Sequence, residues 1–211
     1  MKKFLTFILL LGFLATAKGQ ENEVRNRLAL GLKGGVNFSN IIRTGDNDFD
    51  TDYTTGFNAG IFVNIPLLDR LSIEPELLFS QKGYETADNG LFADRTFKQT
   101  TNWIEVPLKL KVLITPTFNM VLGPQFSFLT KTTNEFDGDF AQVEQTEYED
   151  DADKFKKNIL GGTIGFGVDL TDHLSINGRY AIDFQRNNED GSSDIPEFKN
   201  QSWMLSLGIK F

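Results

Sequence analysis

Hydrolysis through a serine nucleophile needs a histidine base and a carboxylate to orient it. This chain holds a single histidine, His173. It falls in a short connection, Thr171-Asp172-His173, at the opposite end of its segments from the long connections where a lipid or peptide substrate would be met. A solvated turn histidine follows, and no catalytic residue is assigned. Glu74, Glu76 and Glu105 could form an acid/base pair. Lys82, Lys109, Lys111 and Arg179 share their parity, so structural charge pairs are expected instead. With no cysteine and one histidine, thiol nucleophiles, Cys-ligated zinc and His-cluster metal sites are excluded. Residues 131–157 carry Glu135, Asp137, Asp139, Glu144, Glu147, Glu149, Asp150, Asp151 and Asp153, but lack the Asp-x-Asp-x-Asp-Gly order and closing Glu of a calcium loop. That stretch reads as a solvated, mobile external loop. No metal, cofactor or cofactor-binding residue is expected.

The elements that hold these residues begin after a leader. Met1-Lys2-Lys3, an apolar run over 4–15 and a small-residue exit form a secretory signal peptide over 1–19. The run is shorter than the ~20 residues of a spanning helix. A short lead-in, 20–27, precedes one domain over 28–211. The chain has 21 basic and 29 acidic residues, a net charge of −8; without Lys2, Lys3 and Lys18 the balance is 18 against 29, or −11. Nucleic acid is not the partner of such a chain, because phosphate binding needs clustered Lys and Arg.

From Leu28 onward eight segments alternate with a period of two, the strand signature. The clearest sets Ile104, Val106, Leu108, Leu110 and Val112 against Trp103, Glu105, Pro107, Lys109 and Lys111. The segments exceed the usual ~5–6 residues and suit a tilted crossing of a bilayer. An even count lets the first and last strands close antiparallel. Connections at 66–70, 114–117 and 171–173 are short; those at 41–54, 85–100, 131–157 and 186–199 are long. Strict alternation places all short turns at one end, as in barrels with periplasmic turns and external loops. The fold expected is an all-β, eight-stranded antiparallel transmembrane barrel.

Lys33, Glu74, Glu76, Lys82, Glu105, Lys109, Lys111, Asp169, Arg179, Asp183 and Lys210 all lie on the polar parity. In a barrel of about eight strands the lumen is filled by side chains, and opposite charges there can pair. The apolar parity carries Phe38, Phe57, Phe79, Phe128, Phe184 and Trp203 at the long-connection ends, where a membrane girdle belongs. The apolar face therefore points outward to lipid; a secreted lipocalin-like ligand-binding barrel would turn it inward. Pro75, Pro107 and Pro124 fall inside strands, where a lost ladder bond predicts local bulges.

Gly31-Leu32-Lys33-Gly34-Gly35-Val36-Asn37-Phe38-Ser39-Asn40 resembles the opening strand of the PorT-like porin-family outer-membrane β-barrel domain. Glu74-Pro75-Glu76-Leu77-Leu78-Phe79-Ser80-Gln81-Lys82-Gly83 resembles its third strand. Ile104-Glu105-Val106-Pro107-Leu108-Lys109-Leu110-Lys111, Gly123-Pro124 and Leu205-Ser206-Leu207-Gly208-Ile209-Lys210-Phe211 fit later ones. The likeness spans essentially the whole chain after the leader, and in that family prolines at these positions are part of the pattern. It implies an outer-membrane location and contact with lipid and the barrel-assembly machinery, with Phe211 as the aromatic assembly signal. The founding member is associated with export of secreted proteases through a type IX pathway, so the resemblance also implies an accessory role in secretion. The function expected is non-enzymatic: structural, or interaction with other envelope proteins through the external loops. A narrow pore for small solutes is the alternative within the membrane.

Overall fold

The computed structural model describes residues 28–43, 51–90, 93–138, 141–148, 158–186 and 198–211. The leader, the 20–27 lead-in and residues 149–157 lie outside the described residues. The strands are β1 (Ala29–Arg43), β2 (Asp52–Leu68), β3 (Leu71–Gly90), β4 (Ala93–Leu113), β5 (Phe118–Gly138), β6 (Ala141–Tyr148), β7 (Asn158–Asp169), β8 (Leu174–Asp183) and β9 (Phe198–Lys210). Every pairing is antiparallel, and β1 pairs with both β2 and β9, so the sheet closes. β6 lies outside this circuit, because it pairs with β5 above the point where β7 leaves it. The closed barrel therefore has eight strands.

Alternation decides the faces, since successive side chains in a strand point to opposite sides. On β7, Ile159, Gly161, Thr163, Gly165, Gly167 and Asp169 are buried, while Leu160, Ile164, Phe166 and Val168 are exposed. The outward residues include Leu30, Leu32, Phe57, Leu122, Phe126, Leu205, Leu207 and Ile209, all large, apolar and exposed. An apolar band of this kind is stable only against lipid. Leu207, 56% exposed and midway along the outward row from Trp203 to Phe211, provides a direct check. Leu207→Arg is expected to destabilise the barrel by ~2–4 kcal/mol, the cost of an Arg at the bilayer midplane. Urea unfolding in liposomes measures it, and a neutral result would contradict the lipid-facing assignment.

The turns at the short-connection end are built locally. Ile114 N–H donates to the Phe118 carbonyl at 2.9 Å, and the Thr115 hydroxyl accepts from the Phe118 N–H at 2.9 Å. Thr171 repeats the device, accepting from the His173 and Leu174 N–H groups at 3.2 and 2.9 Å. A hydroxyl that captures the amides two and three residues on replaces bonds the tight turn cannot make.

Three expectations change. The 85–100 connection is a hairpin: β3 and β4 pair up to Gly90↔Ala93. Most of 131–157 is also paired, Lys131 to Tyr148 through Gly138 to Ala141, so the expected mobile loop is largely sheet. The third concerns Pro75, Pro107 and Pro124, which produce no bulge. Pro75↔Leu108, Pro107↔Gln125 and Pro124↔Gly162 pair in unbroken register. A strand N–H serves only one neighbour, so each proline costs rungs on one side and keeps the other. Register shifts fall instead between Tyr53 and Asn58, Pro66 and Leu68, and Asn102 and Trp103.

An aromatic belt lies outside the barrel about ten residues from the short turns, roughly the strand length that crosses an apolar band ~25 Å tall. Phe57 packs on Phe79 at 5.5 Å between centroids, and Trp203 packs on Tyr180 at 4.8 Å. Just beyond this belt the pattern inverts. Ile41, Tyr84 and Phe198 turn inward and cluster with Phe97, while Trp103, Leu129 and Ile159 form a second inward cluster. Outside the membrane water replaces lipid, so apolar side chains are buried within the strand extension.

Candidate functional site

Among the described residues, charged groups converge in the interior of the barrel. Glu74 and Glu76 are two residues apart on β3, which puts both carboxylates on the inner face. Lys109 stands directly opposite Glu74 on β4. Its ammonium reaches Glu74 Oε1 at 2.7 Å and Glu76 Oε1 at 2.6 Å. Lys33 of β1 also binds Glu76 and lies 3.5 Å from Glu74. Arg179 of β8 donates to Glu76 Oε2 at 2.8 Å, so one carboxylate holds three cations from three strands. Lys210 donates to Asp169 at 2.9 Å. Lys111 bridges the two groups at longer range, 3.7 Å from Glu74 and 3.7 Å from Asp169.

Further toward the long hairpins, Lys82 pairs with Glu105 at 2.6 Å, and Asp183 accepts from Asn200 at 2.8 Å. Asn37, Asn58, Ser80 and Ser206 form a hydrogen-bonded ring segment between these levels. All eleven charges of the polar parity are buried. Such a lattice is held by mutual pairing, because burying an isolated charge costs several kcal/mol. Above it the apolar clusters of Trp103 and Tyr84 cross the lumen side of the wall. Sequence reading placed Trp103 and Ile159 on the inner parity but assigned no role to the apolar layer. Tyr84, Phe97 and Phe198 were unassigned because the run of outward apolar residues stops before them.

This arrangement binds charge to charge. His173 serves the architecture: its Nδ1 donates to the Lys210 carbonyl at 2.9 Å, and its own carbonyl accepts from the Lys210 N–H at 2.7 Å. It is a clamp between the β7–β8 turn and the end of β9. Among the described residues no group of three His, Cys, Asp or Glu side chains could hold a metal ion. Phe211 is exposed on the lipid-facing parity, and its N–H donates to the Leu30 carbonyl at 2.8 Å.

The chain is similar to Ail, the attachment invasion locus protein of Yersinia pestis, solved with the heparin analogue sucrose octasulfate, at 15% identity and TM-score 0.47 over 88% of this chain and 99% of that one. It is also similar to Neisserial surface protein A, at 11% identity and TM-score 0.48 over 86% and 97% of the two chains. For OprG of Pseudomonas aeruginosa the values are 18%, 0.41, 89% and 97%. No curated protein sequence matches the chain. The model of one family matches residues 18–185. The closed eight-stranded barrel with a lipid-facing exterior thus belongs to the outer membrane protein beta-barrel domain family, and its place is the outer membrane.

Proposed function

We propose that the protein is a non-conducting, non-enzymatic outer-membrane barrel that works through its external hairpins. The observation that carries this reading is the length of the β3–β4 hairpin and of β5 with β6. β3, β4 and β5 run 20, 21 and 21 residues against 12 and 10 for β7 and β8. About ten residues suffice for a crossing, so the remainder forms sheet beyond the membrane. Exposed segments on a rigid scaffold are where binding function concentrates.

Charge supports a partner rather than a solute. Residues 43–52, 85–98, 131–157 and 186–199 hold 20 acidic and 9 basic residues, a net charge of −11. That equals the net charge of the chain without its leader. A surface of this sign steers basic partners toward it. The resemblance to PorT-like proteins directs the search for that partner to the secretion apparatus of the envelope. Crosslinking from the β5–β6 hairpin in native outer membranes, followed by identification of the captured protein, tests the reading. Crosslinks confined to lipid would sink it.

Two further outcomes are expected. Planar-bilayer recordings should show no stable conductance, since buried charge pairs and the apolar layer leave no continuous water column; steady channels of reproducible size would favour the solute pore. The chain has no cysteine, so single replacements report topology cleanly. A membrane-impermeant maleimide on intact cells should label Asp137→Cys and spare Asp69→Cys. The reverse would invert the barrel.

A further inference from the structure

We propose that the short-turn end of the lumen binds one small monovalent anion of the halide class, held by Lys111 and Asn119. The first observation is a charge inventory. Among the described residues six buried cations line the interior, Lys33, Lys82, Lys109, Lys111, Arg179 and Lys210, against five buried carboxylates, Glu74, Glu76, Glu105, Asp169 and Asp183. The excess is one positive charge, and it is concentrated at the short-turn end. There Lys33, Lys109, Lys111, Arg179 and Lys210 pair, among the buried carboxylates of the described residues, with Glu74, Glu76 and Asp169.

The geometry identifies the most loosely paired of these cations. Lys33, Lys82, Lys109, Arg179 and Lys210 each approach a carboxylate oxygen within 2.9 Å. Lys111 comes no nearer than 3.7 Å to either of its two, beyond hydrogen-bond distance. Its three N–H donors are thus available to another acceptor.

The second observation is Asn119. It is fully buried, yet neither its Nδ2 nor its Oδ1 bonds another described residue. Lys111 pairs with Val121 and Leu113 with Asn119, so Asn119 is the diagonal inner-face neighbour of Lys111. It also pairs with Gly167 on β7, two residues from Asp169. An amide without a hydrogen-bond partner among the described residues therefore lies one diagonal position from a lysine whose ammonium is held at 3.7 Å by its two carboxylates. A water could satisfy the amide and the second Asp169 oxygen, which is also without a hydrogen bond. Water leaves the charge unbalanced, whereas an anion satisfies the donors and neutralises the interior. Lys111 and Lys210 retain a few per cent of side-chain exposure at this end, which gives a small ion a route in.

The test heats the purified full-length barrel in sodium bromide and in sodium gluconate at equal ionic strength. Binding predicts an unfolding temperature that climbs roughly 3–5 °C for each tenfold rise in bromide above its dissociation constant, with no such climb in gluconate. Lys111→Met balances the interior charge and should abolish the bromide dependence. If that variant does not fold, Asn119→Leu, which keeps every charge, should weaken it. Anomalous diffraction from wild-type crystals in bromide should place one ion within reach of Lys111 Nζ and Asn119 Nδ2. Coincident curves in the two salts overturn the proposal. So do a bromide effect that survives Lys111→Met and a diffraction map without an ion there.

Discussion

Glu76→Gln is expected to be among the most damaging single substitutions in the barrel, lowering its stability by about 3–5 kcal/mol. The change conserves volume and removes one negative charge, so packing is nearly untouched. What it removes is the carboxylate shared by Lys33, Lys109 and Arg179. Three buried cations would then depend on Glu74, which already holds Lys109 at 2.7 Å. Urea unfolding followed by heat-modifiable mobility in detergent gels measures the loss. The double variant Glu76→Gln with Lys33→Met should recover part of it, because a cation leaves with its partner. A single-variant loss below ~1 kcal/mol would be the value of a solvated surface pair, and would mean that the lattice is wet.

The second large effect is expected at Trp103. The chain has two tryptophans, and they do opposite work. Trp103 is 3% exposed, packs inward with Leu129 and Ile159, and donates from Nε1 to Thr101 Oγ1 at 2.8 Å. Trp203 is 55% exposed and packs against Tyr180 in the outer belt. Trp103→Ala should cost ~3–5 kcal/mol, the range for deleting a buried aromatic. Trp203→Ala should cost clearly less, since lipid can follow the retreating side chain. Thermal unfolding of the two variants in the same detergent makes the comparison. Equal losses would show that the inward cluster is not a packed layer.

The prolines illustrate where local reasoning stops. Pro75 lacks the N–H that would serve β2, and the ladder there skips the rungs beside Asn64 and Val63 before resuming in the same register. Its partnership with Leu108 on the other side continues. From the residue alone, a missing donor argues for a bulge. Only the two neighbouring strands determine that the register carries through. The bulge at Asn102 and Trp103, by contrast, has no proline to announce it. It leaves Thr130 as an extra residue on β5, where the Thr130 hydroxyl donates to the Asn102 carbonyl at 3.0 Å.

What the sequence determined by itself was which face each side chain of a membrane-crossing strand takes. Side-chain alternation is a consequence of extended backbone geometry, so the facing of Lys33, Glu74, Glu105, Asp169 and Lys210 was legible from spacing alone. So were the even strand count and the division into short turns and long connections. Tertiary structure decided what depends on two strands or on the solvent outside them. Glu76 gathers Lys33 from β1, Lys109 from β4 and Arg179 from β8 because barrel closure and stagger bring those strands to one height, and residues 103 positions apart in the chain give no local sign of that meeting. The hairpin extensions escaped notice for a related reason. Beyond the aromatic belt the exterior changes from lipid to water, so Tyr84, Phe97 and Phe198 face inward where a lipid-facing rule expects polar side chains.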